Sequence, residues 1–438
     1  MERLLMKELI AWKDNPGKKP LVLQGVRQCG KTFLVTEFAQ RYYNDFVYYR
    51  FDKDLKIKNF FDMDLDPKRI IKDLGLARGK MIQPQQTLII FDEIQECSNA
   101  VTALKYFYED TPEYPIISAG SLLGVAMKKG TSFPVGKVEF LTLYPMNFYE
   151  FLLAQNELLA NELNSSSFDD VIWKNFRDEL IDKYKDFQIV GGMPEAVQTW
   201  LDTKSIEDVD KRQDEILLGY QKDFVKYADT RDYPKIASIW QSIPSQLGKE
   251  NRKFIFSHVK KGWRAKDLED ALLWLIGAGL VYKVECIEKP HYPLSSYSDH
   301  TFFKLYMADI GLLRRLADLP ASIIFDDTAP YMEFKGAMAE NFVACELKRL
   351  YGYSRDKDLY YWTAEGSAKA EVDFVVQDDK YIVPIEVKAA AAKHARSLTQ
   401  YCKKWNPEKS VLTSLDEMSN KILPLYMFWK FKEWIKSK

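Results

Sequence analysis

The run Gly25-Val26-Arg27-Gln28-Cys29-Gly30-Lys31-Thr32 has the spacing GxxxxGK[ST]. Its glycines let the backbone curl until consecutive N–H groups point into one space, and a helix starting there adds the positive end of its dipole. That is an anion site suited to phosphates. Lys31 would reach the β- and γ-phosphate oxygens, and the Thr32 hydroxyl would ligate Mg2+. The context agrees: PLVLQ (20–24) reads as a strand before the loop, and TFLVTEFAQRY after it reads as a helix with Leu34, Val35 and Phe38 on one face. The segment from Gly25 to Phe33 is therefore expected to bind ATP with Mg2+.

Leu88-Ile89-Ile90-Phe91-Asp92-Glu93 is an apolar strand ending in two carboxylates. Downstream of a phosphate loop, Asp92 is expected to hold Mg2+ through water, and Glu93 to orient or deprotonate the attacking water. A further strand, Ile116–Ser121, ends in small polar groups. A hydroxyl there, Ser118 or Ser121, could bridge the γ-phosphate and the lytic water. Much later, YIVPIEVK alternates so that Glu386 and Lys388 share one face while Val383, Ile385 and Val387 take the other. Asp373 lies in the strand-like run EVDFVV. Glu340 shares a helical face with the apolar Val343, Leu347 and Leu350, which aims it inward.

These residues need elements to hold them. The first ~160 residues alternate strand-like and helical patterns, the signature of a parallel sheet covered by helices. Candidate strands are 20–24, 46–51, 87–91, 115–119 and 137–143, with nearly continuous apolar runs as expected for strands buried on both faces. From 161 to about 247 the pattern turns helical, broken by Gly191-Gly192-Met193-Pro194. Residues 249–313 combine a helix (265–276) with strand-like runs at 280–287 and 301–307. After 333 come a helix, strands at 359–362, 371–376 and 381–387, another helix, and a short strand at 410–413.

At ~150 residues per domain, 438 residues suggest about three domains. With 47% hydrophobic residues the chain can repay the entropy of ordering, which excludes a mainly disordered protein. Lys+Arg number 62 against 63 Asp+Glu, a balance that excludes binding to polyanions by bulk charge but leaves room for a local basic face. Lys249–Lys266 is one such stretch, and Lys388, Lys393, Arg396, Lys403 and Lys404 form another beside Glu386. The first twenty residues hold no apolar core of signal-peptide length, and the longest apolar run, Ala271–Tyr282, is too short to span a membrane. The five cysteines form no CxxC, and His258, His291, His300 and His394 show no metal or triad spacing. Tyr42-Tyr43, Tyr48-Tyr49, Trp429 and Trp434 read as packing. A cytoplasmic protein with no membrane partner is expected.

Taken together, GVRQCGKT, LIIFDEIQ, IISAGSLLG and LYPMNFYEFL resemble the prokaryotic AAA-type ATPases that carry a C-terminal restriction-endonuclease-like module. The resemblance continues through GGMPEAV (Gly191–Val197), MADIGLL (Met307–Leu313), AENFVACEL (Ala339–Leu347), EVDFVV and PIEVK, and so covers nearly the whole chain. It implies an α/β fold class: a five-stranded P-loop AAA-type ATPase core over 1–160, a helical lid over 161–247, a winged-helix segment over 248–320, and a C-terminal α/β PD-(D/E)xK-like domain over 325–438. In that last fold a helix Glu, a strand Asp and an ExK pair bind one or two Mg2+. By the resemblance, Glu340, Asp373 and Glu386 would be metal ligands, and Lys388 would position water or stabilise charge on the phosphate in flight. Where the family tends to have Gly-Arg before LYPMNF, this chain has Gly136-Lys137. That weakens the expectation of a homo-oligomer completed by a neighbour's arginine, and leaves Arg231, Arg264, Arg314 and Arg315 as alternatives.

Two readings of function follow. In the first, ATP hydrolysis governs a nuclease acting on DNA, with Lys31, Glu93, Ser118, Glu386 and Lys388 as catalytic residues. In the second, the chain is a nucleotide-controlled binding switch whose C-terminal fold docks a nucleic acid or a protein partner without cleaving. A metabolic P-loop kinase is disfavoured, because no small-substrate lid motif follows the loop.

Overall fold

The computed structural model describes residues 1–121, 134–249, 252–325, 332–353, 357–364, 370–390 and 395–437. The chain divides into two compact units, one over Glu2–Tyr144 and one over Pro145–Gly352 with Asp356–Lys438. The division thus falls at Tyr144/Pro145 rather than at 160/161: the helix Phe148–Gln155, capped by Asn147 and Glu150, belongs to the second unit.

In the first unit, β1 (Leu21–Gln24), β2 (Asp45–Arg50), β3 (Thr87–Asp92), β4 (Ile116–Gly120) and β5 (Glu139–Thr142) form one sheet in the order β2-β3-β4-β1-β5. Every neighbouring pair is parallel. β3 and β4 are buried at every residue, which is why their sequences read as unbroken apolar runs rather than as alternation. Helices Lys31–Tyr42, Leu55–Asp62, Pro67–Arg78 and Ser98–Asp110 connect the strands. The Pro67–Arg78 helix shows its limits in sequence: Asp66 accepts from Lys68 N at 3.0 Å, Pro67 starts the first turn, and Gly79 ends it in the left-handed region. Phe91 packs against Phe51, Phe61 and Phe107 with ring centroids 5.6–6.1 Å apart, which anchors the strand whose next residue is Asp92.

The second unit begins with helices from Phe148 to Leu247, including the 22-residue helix Ile206–Tyr227. Its sheet holds β6 (Val281–Ile287), β7 (Ser298–Met307), β8 (Leu359–Thr363), β9 (Glu371–Asp378), β10 (Tyr381–Val387) and β11 (Val411–Thr413), in the order β11-β10-β9-β8-β6-β7. β6 pairs antiparallel with β7 on one side and parallel with β8 on the other. The boundary expected between 320 and 325 therefore runs through a single sheet. The hairpin that follows the helix Ala265–Gly277 is part of the same core as the C-terminal strands.

The long helix Met332–Gly352 is buried on all sides from Ala337 to Arg349, so the single inward face expected from sequence is only part of its contact surface. Such a helix must partner its polar groups. Asn341 accepts from Met307 N at 2.7 Å and donates to Met307 O at 3.0 Å; Arg349 donates to Pro145 O at 2.8 Å; Phe148 N donates to Glu346 at 3.1 Å.

Candidate functional site

The phosphate loop joins β1 to the helix Lys31–Tyr42 in the way the sequence requires. Gly25 has φ 151° and Gly30 φ 95°, and a Cβ on Gly25 would lie 2.1 Å from Leu143 O. Only glycine fits there. Val26 and Cys29 are buried, Arg27 and Phe33 exposed, and Gln28 takes φ 66°. The Lys31 ammonium donates to Gly25 O and Val26 O, both at 2.8 Å, so it is folded back over the loop it would leave to meet a phosphate.

Strand order brings the other groups to the same sheet edge. β4 lies between β1 and β3, with Ser118 level with Val22 on one side and Phe91 on the other. The Thr32 hydroxyl donates to Asp92 Oδ2 at 2.9 Å. Asp92 is 3% exposed, and it also accepts at Oδ2 from the Tyr48 hydroxyl at 2.5 Å. Tyr48, expected only to pack, is thus a polar partner of the Asp92 carboxylate, while its neighbour Tyr49 points the other way and donates to Leu74 O at 2.8 Å. Glu93 follows with φ 52°, accepting from Gln95 at 2.5 Å. Burial pushes its carboxyl above the usual range, and the Asp92 charge adds to this while the Gln95 bond opposes it. Ser118 is fully buried and its hydroxyl has no hydrogen-bond partner among the described residues, whereas Ser121 sits just past the strand end; Leu122–Gly124 of the same motif lie outside the described residues. Lysine, threonine, aspartate, glutamate and an orphaned hydroxyl around a glycine cradle fit a nucleoside triphosphate and its Mg2+.

The second set of carboxylates is arranged differently. The Glu340 carboxylate forms an ion pair with Arg252 and accepts from the Tyr306 hydroxyl at 2.7 Å. Lys304 on β7, fully buried, places Nζ 2.6 Å from Glu371, 3.6 Å from Glu340 and 4.0 Å from Asp373. Burial disfavours its charge, yet Tyr306, Glu371 and Asp373 around it hold the ammonium protonated. Asp373 Oδ2 accepts from Val387 N at 2.8 Å, and Glu386 Oε1 accepts from Lys388 Nζ at 2.6 Å. Glu386 Oε2 is buried without a partner among the described residues, and burial together with the Asp373 charge pushes this carboxyl up to about 7. Among the described residues, no three His, Cys, Asp or Glu side chains converge as a metal site. The expected metal ligands Glu340 and Asp373 instead share a lysine with Glu371. A hard divalent ion does not fit where an ammonium already sits. Neither Lys304 nor Arg252 is marked by any motif, and Lys393 and His394 lie outside the described residues.

The expected basic and arginine features divide in the same way. Lys260, Lys261, Arg264 and Lys266 are exposed, but Arg252 of the same run turns inward to Glu340. Arg314 is 1% exposed and bonded to Asp210, Gln213, Ile189 O and Leu319 O, and Arg315 pairs with Asp214 and Asp318. Both are committed within the second unit; Arg231 and Arg264 stay exposed. Lys137 pairs with Glu109 at 2.9 Å.

Residues 17–152 match a family described as an AAA domain. Residues 17–152 are therefore an AAA-type P-loop domain. Residues 181–322 and 335–425 match two families, each described as a domain of unknown function (DUF8612 and DUF4143). Across its length the chain is similar to the protein described as "Uncharacterized protein MJ1544" of Methanocaldococcus jannaschii, 22% identical over 94% of this chain and 87% of that one. Among solved structures, the Walker-type ATPase paby2304 of Pyrococcus abyssi is 15% identical with a TM-score of 0.43, covering 71% of this chain and 94% of that one. AMPPCP-bound DnaA from Aquifex aeolicus is 16% identical with a TM-score of 0.29, covering 62% and 86%. No helix among the described residues is long and apolar enough to cross a membrane.

Proposed function

We propose that the chain is a Mg2+-dependent ATPase whose nucleotide state governs a binding module that takes DNA. The observation that carries the ATPase reading is the contact between Thr32 Oγ1 and Asp92 Oδ2 at 2.9 Å, which brings the two expected Mg2+ ligands together from separate elements. Mg2+ would supply charge neutralisation on the β- and γ-phosphates. Lys31 would exchange its loop carbonyls for phosphate oxygens. Glu93, made more basic by its burial, would take a proton from the attacking water. Ser118, whose buried hydroxyl has no partner among the described residues, would orient that water or a γ-oxygen.

For the second unit, binding without cleavage is favoured over the nuclease reading, because Lys304 stands among the carboxylates that a nuclease would need for metal. The exposed Lys260, Lys261, Arg264 and Lys266 beside the helix Ala265–Gly277 supply the cations for phosphate contacts, in the layout a winged-helix segment would use. The test is to incubate the full chain with supercoiled plasmid and Mg2+ or Mn2+, with and without ATP. Capture that changes at least several-fold with ATP, and no nicking, is expected. Nicks that vanish in Glu386→Ala and Lys388→Ala would restore the nuclease reading; equal capture with and without ATP would remove nucleotide control.

A further inference from the structure

The carboxylates of the second unit are packed around a charge that the chain itself provides. Glu340 from the helix Met332–Gly352, and Glu371 and Asp373 from β9, all lie within 4.0 Å of one atom, Lys304 Nζ. Lys304 comes from β7, at the far end of the sheet order, and none of its side chain is exposed. The Tyr361 ring lies 5.1 Å from the ammonium, and both oxygens of Glu340 are engaged, by Arg252 and by Tyr306. One further carboxylate oxygen, Glu386 Oε2, is buried without a partner among the described residues.

We infer that Lys304 Nζ is the resident cation of this cluster, standing where a divalent ion would otherwise sit, so that the second unit folds and works without metal. This deepens the binding-module reading and is independent of the ATPase half of it. Buried carboxylates require a counter-charge, and one buried ammonium among them supplies it at all times. A divalent ion entering the same space would be repelled by Lys304 and would find the Glu340 oxygens already taken. Removing the amine reverses this: the carboxylates remain, the space of the side chain opens, and an oxygen-lined cation site is left behind.

The experiment is a Mn2+ titration of the nucleotide-free full chain, followed by the electron paramagnetic resonance of free Mn2+, with thermal melting in parallel. Wild type should take up no stoichiometric Mn2+, and chelator should leave its melting temperature unchanged. Lys304→Ala should melt lower, bind one equivalent at least about tenfold more tightly than wild type, and recover part of its melting temperature with Mn2+. Adding Asp373→Asn should abolish that gain. A folded Lys304→Ala that ignores Mn2+ would overturn the inference. So would stoichiometric Mn2+ on wild type that Asp373→Asn removes, a comparison that decides the matter even if Lys304→Ala does not fold. ATP turnover on the same samples reports the nucleotide site separately.

Discussion

At Asp92 two hydroxyls share one carboxylate oxygen, Thr32 from the phosphate loop and Tyr48 from β2. When Thr32 turns to a metal ion, the Tyr48 bond stays on Oδ2 and, with the Glu93 N–H on Oδ1 at 3.0 Å, fixes the carboxylate's orientation. Tyr48→Phe should therefore raise the Mg2+ concentration giving half-maximal ATP turnover about three- to tenfold, the worth of one hydrogen bond, while leaving nucleotide binding in EDTA unchanged. A titration of turnover against Mg2+ reads this directly. The pair Thr32 and Asp92 was legible in the sequence because each sits in a contiguous motif with fixed spacing. Tyr48 was not, since only the pairing of β2 with β3 brings it there and a tyrosine in an apolar run looks like packing. Lys304 escaped for the same reason: it lies in the run FFKLYM, in which nothing marks a lysine as interior. Glu386 is raised to about 7 in the folded protein from an ordinary value of 4.5, so between these values the folded state holds a proton that the unfolded chain has lost. Stability should then fall as pH rises through that window, by up to about 3 kcal/mol, and Glu386→Gln should flatten the slope. Melting at the two ends of the window checks it; a stability that rises with pH through Glu386 would contradict the assignment.

Among the elements, the motifs that no catalytic role absorbs meet at one joint. Asp309, at the start of the helix Ile310–Leu316, accepts from Gly192 N at 2.6 Å and from Leu312 N at 2.9 Å. Met146 N donates to Gly192 O at 2.6 Å, and a Cβ on Gly192 would lie 2.0 Å from Met146 O. LYPMNF, GGMP and MADIGLL, scattered along the sequence, are thus three sides of one buried contact in the second unit. Asp309→Ala would leave two buried N–H groups without acceptors and should cost about 2–4 kcal/mol, with turnover of the surviving folded fraction unchanged. Chemical denaturation measures this, and a loss under about 0.5 kcal/mol would contradict the joint. Elements were more legible than their partners. The parallel strands of the first unit match the expected runs within a residue or two, most plainly β3 and β4, whose burial on both faces writes itself as continuous apolar sequence. The sheet of the second unit spans two expected domains, because sequence shows the hairpin β6–β7 but not that β6 has a further neighbour in β8.

For the whole molecule, the net charge of −1 conceals an uneven distribution. Cations are exposed at Lys260–Lys266 and at Arg396, Lys403 and Lys404, while Lys304, Arg252, Arg314 and Arg349 have interior partners. On the proposed reading DNA meets the Lys260–Lys266 face, and affinity should then fall with salt by a slope set by a few phosphate contacts rather than many. Changing Lys260, Lys261 and Arg264 together to alanine should reduce that slope by about 2–3; a slope that stays the same would place the nucleic-acid face elsewhere. Central to all of this is the claim that the glycine cradle, Lys31, Asp92 and Glu93 make a working ATPase. It is tested most directly by ATP binding and steady-state turnover in Mg2+ on wild type, Lys31→Ala and Glu93→Gln. The expected result is turnover by wild type, loss of binding and turnover in Lys31→Ala, and in Glu93→Gln retained ATP binding with turnover reduced at least about a hundredfold. A wild-type chain that binds no ATP, or turnover indifferent to Lys31→Ala and Glu93→Gln, would contradict it.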